Sequence, residues 1–329
     1  MFYLGIDVAK AKIDCCLILE DSAGKKKTKT FPNTPKGFEQ LQAWLNHHAA
    51  GPAQTIALME ATSVYHERLA GYLFDAGCQV CVANPARARY FAQSMSRLNK
   101  TDKADSEVLA RFAMTADLHF WQPLPGYIQL LNALLDRRAV LGEDLQREEN
   151  RLEKAESTFT IEPVLQSIHK NIKQLSRHIQ DLDRQIDDHI DQHPDLKNDK
   201  ELLSSIPAIA DRTSLLMLSF LRSHAFERAS QAAAFAGLVP IQRQSGSSIH
   251  GRSRLSKAGS SKIRAGLYMA AIVATRHNPH IKGMNDRLLA NGKTKMMAVG
   301  AAMRKLIHLC YGVLKHQRPY QENYCANSQ

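Results

Sequence analysis

Three apolar runs open the chain. Residues 2–7 (FYLGID) end on Asp7, residues 12–19 (KIDCCLIL) form a second run, and after the polar stretch EDSAGKKK a third, KTKTF, ends on Phe31. Short runs rich in β-branched and aromatic side chains, bounded by polar turns, read as strands, and three in succession predict an antiparallel meander. Thr34 and Pro35 supply a cap and a first helical position, so a helix follows through Trp44. QTIALME then reads as a buried strand ending at Glu60, SVYHERLAGYLFDAG as a helix closed by Gly77, and CQVCVA as a strand stopped by Asn84 and Pro85. The order of three strands, helix, strand, helix, strand, helix predicts an α/β domain.

The pattern changes in the middle of the chain. Leu165, Ile168, Ile172, Leu175, Ile179, Leu182 and Ile186 step alternately by three and four with charged residues between them, which is a heptad seam. The stretch from Tyr127 to Leu152 carries a similar, interrupted stripe. An intramolecular helical hairpin and an intermolecular coiled coil fit this spacing equally, because a and d positions do not name their partner. The last third is helical and rich in alanine. Its ELLSSIPAIADRTSLLMLSFL resembles a helix-hairpin-helix, a device that offers backbone amides to a phosphate, with Ala208 and Ala210 where glycines are usual. The expected fold is therefore α/β plus α: an α/β domain over 1–122, a helical coiled-coil or dimerisation segment over 123–195, and a mostly helical C-terminal domain over 196–329.

Charge adds a partner. The 329 residues include 43 Lys and Arg against 32 Asp and Glu, a formal charge of +11 with a pI near 9.4, and such a surface favours a polyanion, nucleic acid ahead of a membrane. Between Gln242 and Arg264 lie six Lys or Arg and no acid. Such a run ordinarily forms a solvated loop, and in this basic chain it reads as a phosphate-contacting one. No apolar run approaches the roughly 18 residues that span a bilayer, and MFYLGIDVAK meets an acid too early for a signal peptide. These features predict a cytoplasmic protein with no membrane partner. The six cysteines lack the density of a disulfide framework. Cys78 and Cys81 form a lone C-x-x-C inside what reads as a buried strand, with no second pair to complete a zinc site.

The acids carry the chemistry. Asp7 and Glu60 each close a strand at the carboxyl edge, where open α/β sheets place their sites. Asp102 and Asp105, three apart at a helix start among Arg97, Lys100 and Lys103, share a helix face. On their own they serve as well as helix cap and first-turn charge. If that helix packs beside the strand ends, four carboxylates converge and repel unless divalent cations sit among them. Two such cations about 4 Å apart, sharing a phosphate, are the usual device for in-line attack on a phosphodiester.

The stretches GIDVAK, MEATSVY, NPARARYFA, KTDKADSEVLA, AAFAGLVP, RQSGSSIHGRSRLSKAG and KMMAVGAAMRKL, taken together and in order, resemble the transposases of the insertion sequence 110 family, bridge-RNA-guided DNA recombinases to which the Piv-type DNA invertases are related. The resemblance covers nearly the whole chain. It implies an N-terminal RuvC-like domain of RNase H fold whose Asp7, Glu60, Asp102 and Asp105 hold Mg2+, in all two ions. It further implies a coiled-coil segment and a C-terminal transposase domain whose serine nucleophile is Ser245, selected by resemblance over Ser247 and Ser248. DNA strands would be cut and rejoined through a phosphoserine linkage. Target and donor DNA would be chosen by a structured guide RNA, in a homo-oligomer (dimer or tetramer) whose protomers share active sites. The nucleic-acid contacts expected are Lys100, Lys103, Arg243, Arg252, Arg254, Lys257, Lys262 and Arg264, in a bacterial cytoplasmic protein associated with the nucleoid when acting. Ser63 departs from the family pattern, where glycine is frequent, as does IPAIA.

Four other readings use the same residues. A RuvC-like nuclease or resolvase would cut with metal-activated water and leave Ser245 idle, and a Piv-like invertase would recombine without transposing. A sugar-kinase or actin-like ATPase also opens with a strand like GIDVAKAKI, but no later Gly-rich phosphate loop follows, and Asp102 and Asp105 would go unused. A nucleic-acid binder with a dead site is disfavoured by the presence of all four carboxylates and the serine.

Overall fold

The structure, a computed structural model, describes the chain apart from residues 20–24, 62–63, 96–101, 116, 246–248 and 323–329, and only the backbone of 102–103, 242–245 and 249–253. It divides into two compact units, Met1–Pro123 and Leu124–Gln329.

The first unit is a mixed five-stranded sheet flanked by helices. In chain order it comprises β1 (Phe2–Val8), β2 (Lys12–Leu19), β3 (Lys26–Pro32), α1 (Pro35–His47), β4 (Thr55–Glu60), α2 (Glu67–Asp75), β5 (Gln79–Ala83), α3 (Pro85–Ser94) and α4 (Asp102–Thr115). The expected caps form: Thr34 Oγ1 accepts from the Gly37 amide at 3.3 Å, and Asn84 Oδ1 from the Ala86 amide at 2.8 Å. The helix expected from Ser63 begins only at Glu67, without a side-chain cap. The sheet order is β3-β2-β1-β4-β5, with β1–β2 and β2–β3 antiparallel and β1–β4 and β4–β5 parallel.

Alternation splits this sheet into two buried faces. Leu4, Ile6, Val8, Ala57, Met59 and Val80 pack with residues of α1 and α2. Ile56, Leu58 and Cys81 pack with Leu109 and Phe112 of α4, and Cys16 and Ile18 with Ala110. Both faces being covered explains why these strands read as continuous apolar runs.

The second unit contains α5 (Gly126–Glu156), α6 (Glu162–Asp191), α7 (Pro194–Ser204), α8 (Asp211–Arg222), α9 (Ala229–Phe235), β6 (Pro240–Ser245), β7 (Ile249–Leu255), α10 (Ser261–His277), α11 (Pro279–Ala290) and α12 (Lys295–His316). Helices α5 and α6 pack against each other within the chain, a pairing the heptad spacing allows. Arg138 grips Asp183 through two bonds, Nε to Oδ1 at 2.7 Å and Nη2 to Oδ2 at 3.2 Å. The seam is buried at Ile179 and Ile186 but half-buried at Leu165, Ile168, Ile172 and Leu175. At its root Ile128 and Leu131 join Ile186 and Ile190 in the main core of the unit.

Two sequence expectations change here. By length and composition α12 is long and apolar enough to cross a membrane, although no such run was anticipated; its Ala302, Leu306, Ile307 and Cys310 instead form part of the core. The basic run is not simply a loop. Strands β6 and β7 pair antiparallel, with Gln244 opposite His250 and Ser245 opposite Ile249, and the period-two pattern of IHGRSRL is the signal that favours pairing.

Candidate active site

Register brings the strand-end acids together. Strands β1 and β4 run parallel, with Ile6 opposite Met59, so Asp7, one residue before the end of β1, and Glu60, the last of β4, lie on neighbouring strands. Alternation sets Asp7 on the face of Gly5 and Glu60 on the face of Leu58, and this is the face that α4 covers. The approach is backbone to backbone: a methyl group on Gly5 would lie 2.1 Å from the Ser106 carbonyl oxygen and 2.2 Å from the Ala110 amide nitrogen. Asp105 immediately precedes that contact, and Asp102 lies one turn earlier in the same helix.

Two buried acids hold the frame. Glu107, 4% exposed, accepts from Lys26 Nζ at 2.6 Å and Arg111 Nε at 3.1 Å, tying α4 to β3. Asp14, 5% exposed, stands directly across from Asp7 and accepts from Thr30 Oγ1 at 2.5 Å and Lys12 Nζ at 2.9 Å. Neither was singled out from the sequence. An acid at an inward position of an apolar strand, as in KIDCCLIL, is the signal that marks Asp14, because a buried charge must be paired.

Carboxylate oxygens are the hard donors that Mg2+ takes, so the chemistry of Asp7, Glu60 and Asp105 fits that ion. Among the described residues, no three of His, Cys, Asp and Glu stand close enough to hold a metal, and the side chain of Asp102 lies outside them. Lys100 also falls outside, as does the side chain of Lys103.

The cysteine pair does not form a site. Cys78 packs on one face of the sheet and Cys81 on the other; burial pushes the Cys78 thiol up to about 11 and raises that of Cys81 against the opposing pull of Arg87, so both stay protonated.

In the second unit Ser245 ends β6. The basic residues around it divide. Arg254 and Lys257 are exposed, whereas Lys262 pairs with Asp136 and Arg264 Nη1 donates to two backbone carbonyls, Ala236 and Gly259, each at 3.0 Å. The side chains of Arg243 and Arg252 lie outside the described residues.

Residues 4–159 match the IS110 DEDD transposase family model, and residues 200–284 match the transposase IS116/IS110/IS902 family. Over 322 residues the chain is 33% identical to the pilin gene-inverting protein of Moraxella bovis, covering 97% of this chain and 98% of that protein. The chain belongs to the IS110 family of transposases. Its counterpart from Moraxella lacunata is also 33% identical over the same length. The insertion element IS110 43.6 kDa protein of Streptomyces coelicolor is 26% identical over 170 residues, 51% of this chain and 41% of that one. As an IS110 family transposase the protein is a DNA-recombining enzyme, with DNA as its substrate. The first family model takes in the five-stranded sheet from Leu4 onward and α4, and the second takes in β6 and β7.

Proposed function

We propose that this transposase cuts and rejoins DNA through a phosphoserine linkage on Ser245, with Asp7, Glu60, Asp102 and Asp105 as a magnesium-binding set. The observation that carries the metal assignment is the adjacency of Asp7 and Glu60 at the ends of paired parallel strands, under a helix that contains both further aspartates. The sheet order, with an antiparallel meander leading into two parallel strands, supports an RNase H-like reading of residues 1–122. A helical segment over 123–195 and a transposase domain over 196–329 complete the layout.

Bound Mg2+ would neutralise phosphate charge and lower the barrier to attack by a hydroxyl. The protein's own part is positional. Ser245 Oγ forms a bond to phosphorus as one backbone P–O bond breaks; the serine gives up its proton and the departing sugar oxygen gains one. The ester keeps the bond energy, so a DNA hydroxyl can reverse the step and rejoin strands without an external energy source. Exposed Arg254 and Lys257, with Lys100, Lys103, Arg243 and Arg252, hold the strand through phosphate contacts. Guide-RNA selection of target and donor DNA, a dimer or tetramer with shared sites, and action at the bacterial nucleoid complete the reading, which rests for these points on family resemblance.

Incubation with Mg2+, DNA and any RNA recovered with the purified protein is expected to trap a covalent protein–DNA species mapping to Ser245, absent from Ser245→Ala. If Ser245→Ala cuts at the normal rate and leaves protein-free ends, water is the nucleophile and the serine reading fails.

A further inference from the structure

We infer that Arg264 is a positioning residue that locks the two ends of the β6–β7 hairpin to α9 and so fixes where Ser245 is delivered, rather than a phosphate contact. The inference rests on the reading of Ser245 as the reacting group.

The hairpin has a closed root. Going in, α9 ends and the chain turns at Gly237, whose φ of +72° is in the left-handed region, with Gly237 N–H donating to Ala234 O at 2.9 Å and Leu238 N–H to Ala233 O at 2.9 Å, a Schellman-like stop. Coming out of β7, Ser256 N–H donates to Val239 O at 2.9 Å and Lys257 N–H to Gly237 O at 3.2 Å. Lys257 itself has a φ of +51°, a conformation that costs a non-glycine residue about 1 kcal/mol and persists only where the surroundings impose it. Gly259 then runs so close to the end of α9 that a methyl group there would lie 2.1 Å from the Phe235 carbonyl oxygen.

Arg264 closes this root from α10. Its Nη1 lies across Gly237, 2.6 Å from where a methyl group would stand, and bridges Ala236 O on the incoming side and Gly259 O on the outgoing side. One cationic nitrogen thus satisfies a helix-terminal carbonyl and a loop carbonyl that belong to opposite ends of the hairpin. Its Nη1 is committed to these two carbonyls, while Arg254 and Lys257 remain exposed for phosphate. A reacting group on a short hairpin inherits any shift at the root, and a displacement of about 1 Å can cost about 100-fold in rate.

The test compares Arg264→Ala, Arg264→Lys and Arg254→Ala in the full-length chain by three readouts: binding to a random-sequence duplex at several salt concentrations, single-turnover adduct formation at saturating DNA, and amide exchange of the segment 238–257. Arg264→Ala is expected to keep the wild-type salt slope, lose about 100-fold in adduct rate and exchange faster at Ser256 and Lys257, with Arg264→Lys recovering most of both. Arg254→Ala, the phosphate-contact control, is expected to lose about one from the slope while Ser256 and Lys257 exchange as in the wild-type chain. Should Arg264→Ala not fold, Arg264→Gln, a neutral N–H donor, takes its place under the same criteria. A salt slope reduced by about one for the Arg264 variant, or unchanged exchange over 238–257, overturns the inference. Faster exchange with no adduct in the wild-type chain leaves the root assignment standing and removes the serine reading instead.

Discussion

Gly5 sits directly beneath the backbone of Ser106, so close that one added carbon would come within 2.1 Å of its carbonyl oxygen. This contact sets the height above β1 of the helix that contains Asp105. Gly5→Ala cannot be absorbed by a flexible side chain, because the obstacle is helix backbone. Loss of about 3 kcal/mol of stability is expected, with DNA cleavage lost even in the fraction that folds; chemical denaturation paired with a cleavage assay checks both.

Removal of a proposed metal ligand separates stability from activity. Asp7→Ala is expected to abolish cleavage and leave the metal-free chain as stable as wild type or slightly more so, since it removes a repelling carboxylate. Added Mg2+ should raise the melting temperature of the wild-type protein by mass action but not that of the variant. Equal Mg2+ shifts in both proteins would exclude Asp7 as a ligand.

The strands and the carboxylate positions were legible because each sheet element is a short apolar run with polar ends, and Asp7 and Glu60 mark two of those ends. The packing of α4 on Gly5 was not legible, since a lone glycine in a strand does not name what crosses it. Spacing also left the partner of the α5–α6 seam open. Arg138 and Asp183, 45 residues apart, join the two helices within one chain. The charges of the basic run obscure the alternation in IHGRSRL, so its strand pairing is hard to see in the sequence, and the internal bonding of Arg264 and Lys262 leaves no trace in composition.

Arg138→Ala removes a two-bond clasp whose acid is 45% exposed, so solvent screens much of its worth and a cost of about 0.5–1 kcal/mol is expected. A double-mutant cycle with Asp183→Asn measures the coupling directly. Arg138→Lys is expected to recover less than half, because an ammonium does not match the carboxylate with a planar fork.

His224 lies among Phe220, Phe226 and Phe235, and burial lowers its pKa from the ordinary value despite its bond to the Phe220 carbonyl. A histidine depressed in the folded state is neutral there, so its contribution to stability is complete above about pH 6.5 and is lost as pH falls through the folded value. His224→Phe should therefore gain stability relative to wild type on going from about pH 7 to about pH 5, read from denaturant midpoints at each pH.

Ala208 holds a φ of +83° in the turn between α7 and α8, where glycine would be relaxed. Ala208→Gly is expected to raise stability by about 0.5–1 kcal/mol, the strain removed outweighing the added freedom of the unfolded chain. A lower melting temperature would show that the alanine methyl, which lines an apolar groove with Ile206, Met269 and Val273, contributes more by packing than it costs in conformation.

The position of α4 in the chain also governs when the proposed set of four acids is completed during synthesis. The five strands are complete by Ala83, but Cys16, Ile18 and Leu58 find their cover only in Ala110, Leu109 and Phe112. At about 5–20 residues per second, a nascent chain that has presented its whole sheet still waits seconds for the segment that seals the second face. That same segment carries two of the four acids. A ribosome-bound fragment therefore has an open apolar surface and half a ligand set, and sealing the sheet and assembling the carboxylates become one event. A chain stalled before α4 emerges is a client for chaperones and, on this reading, cannot cut DNA.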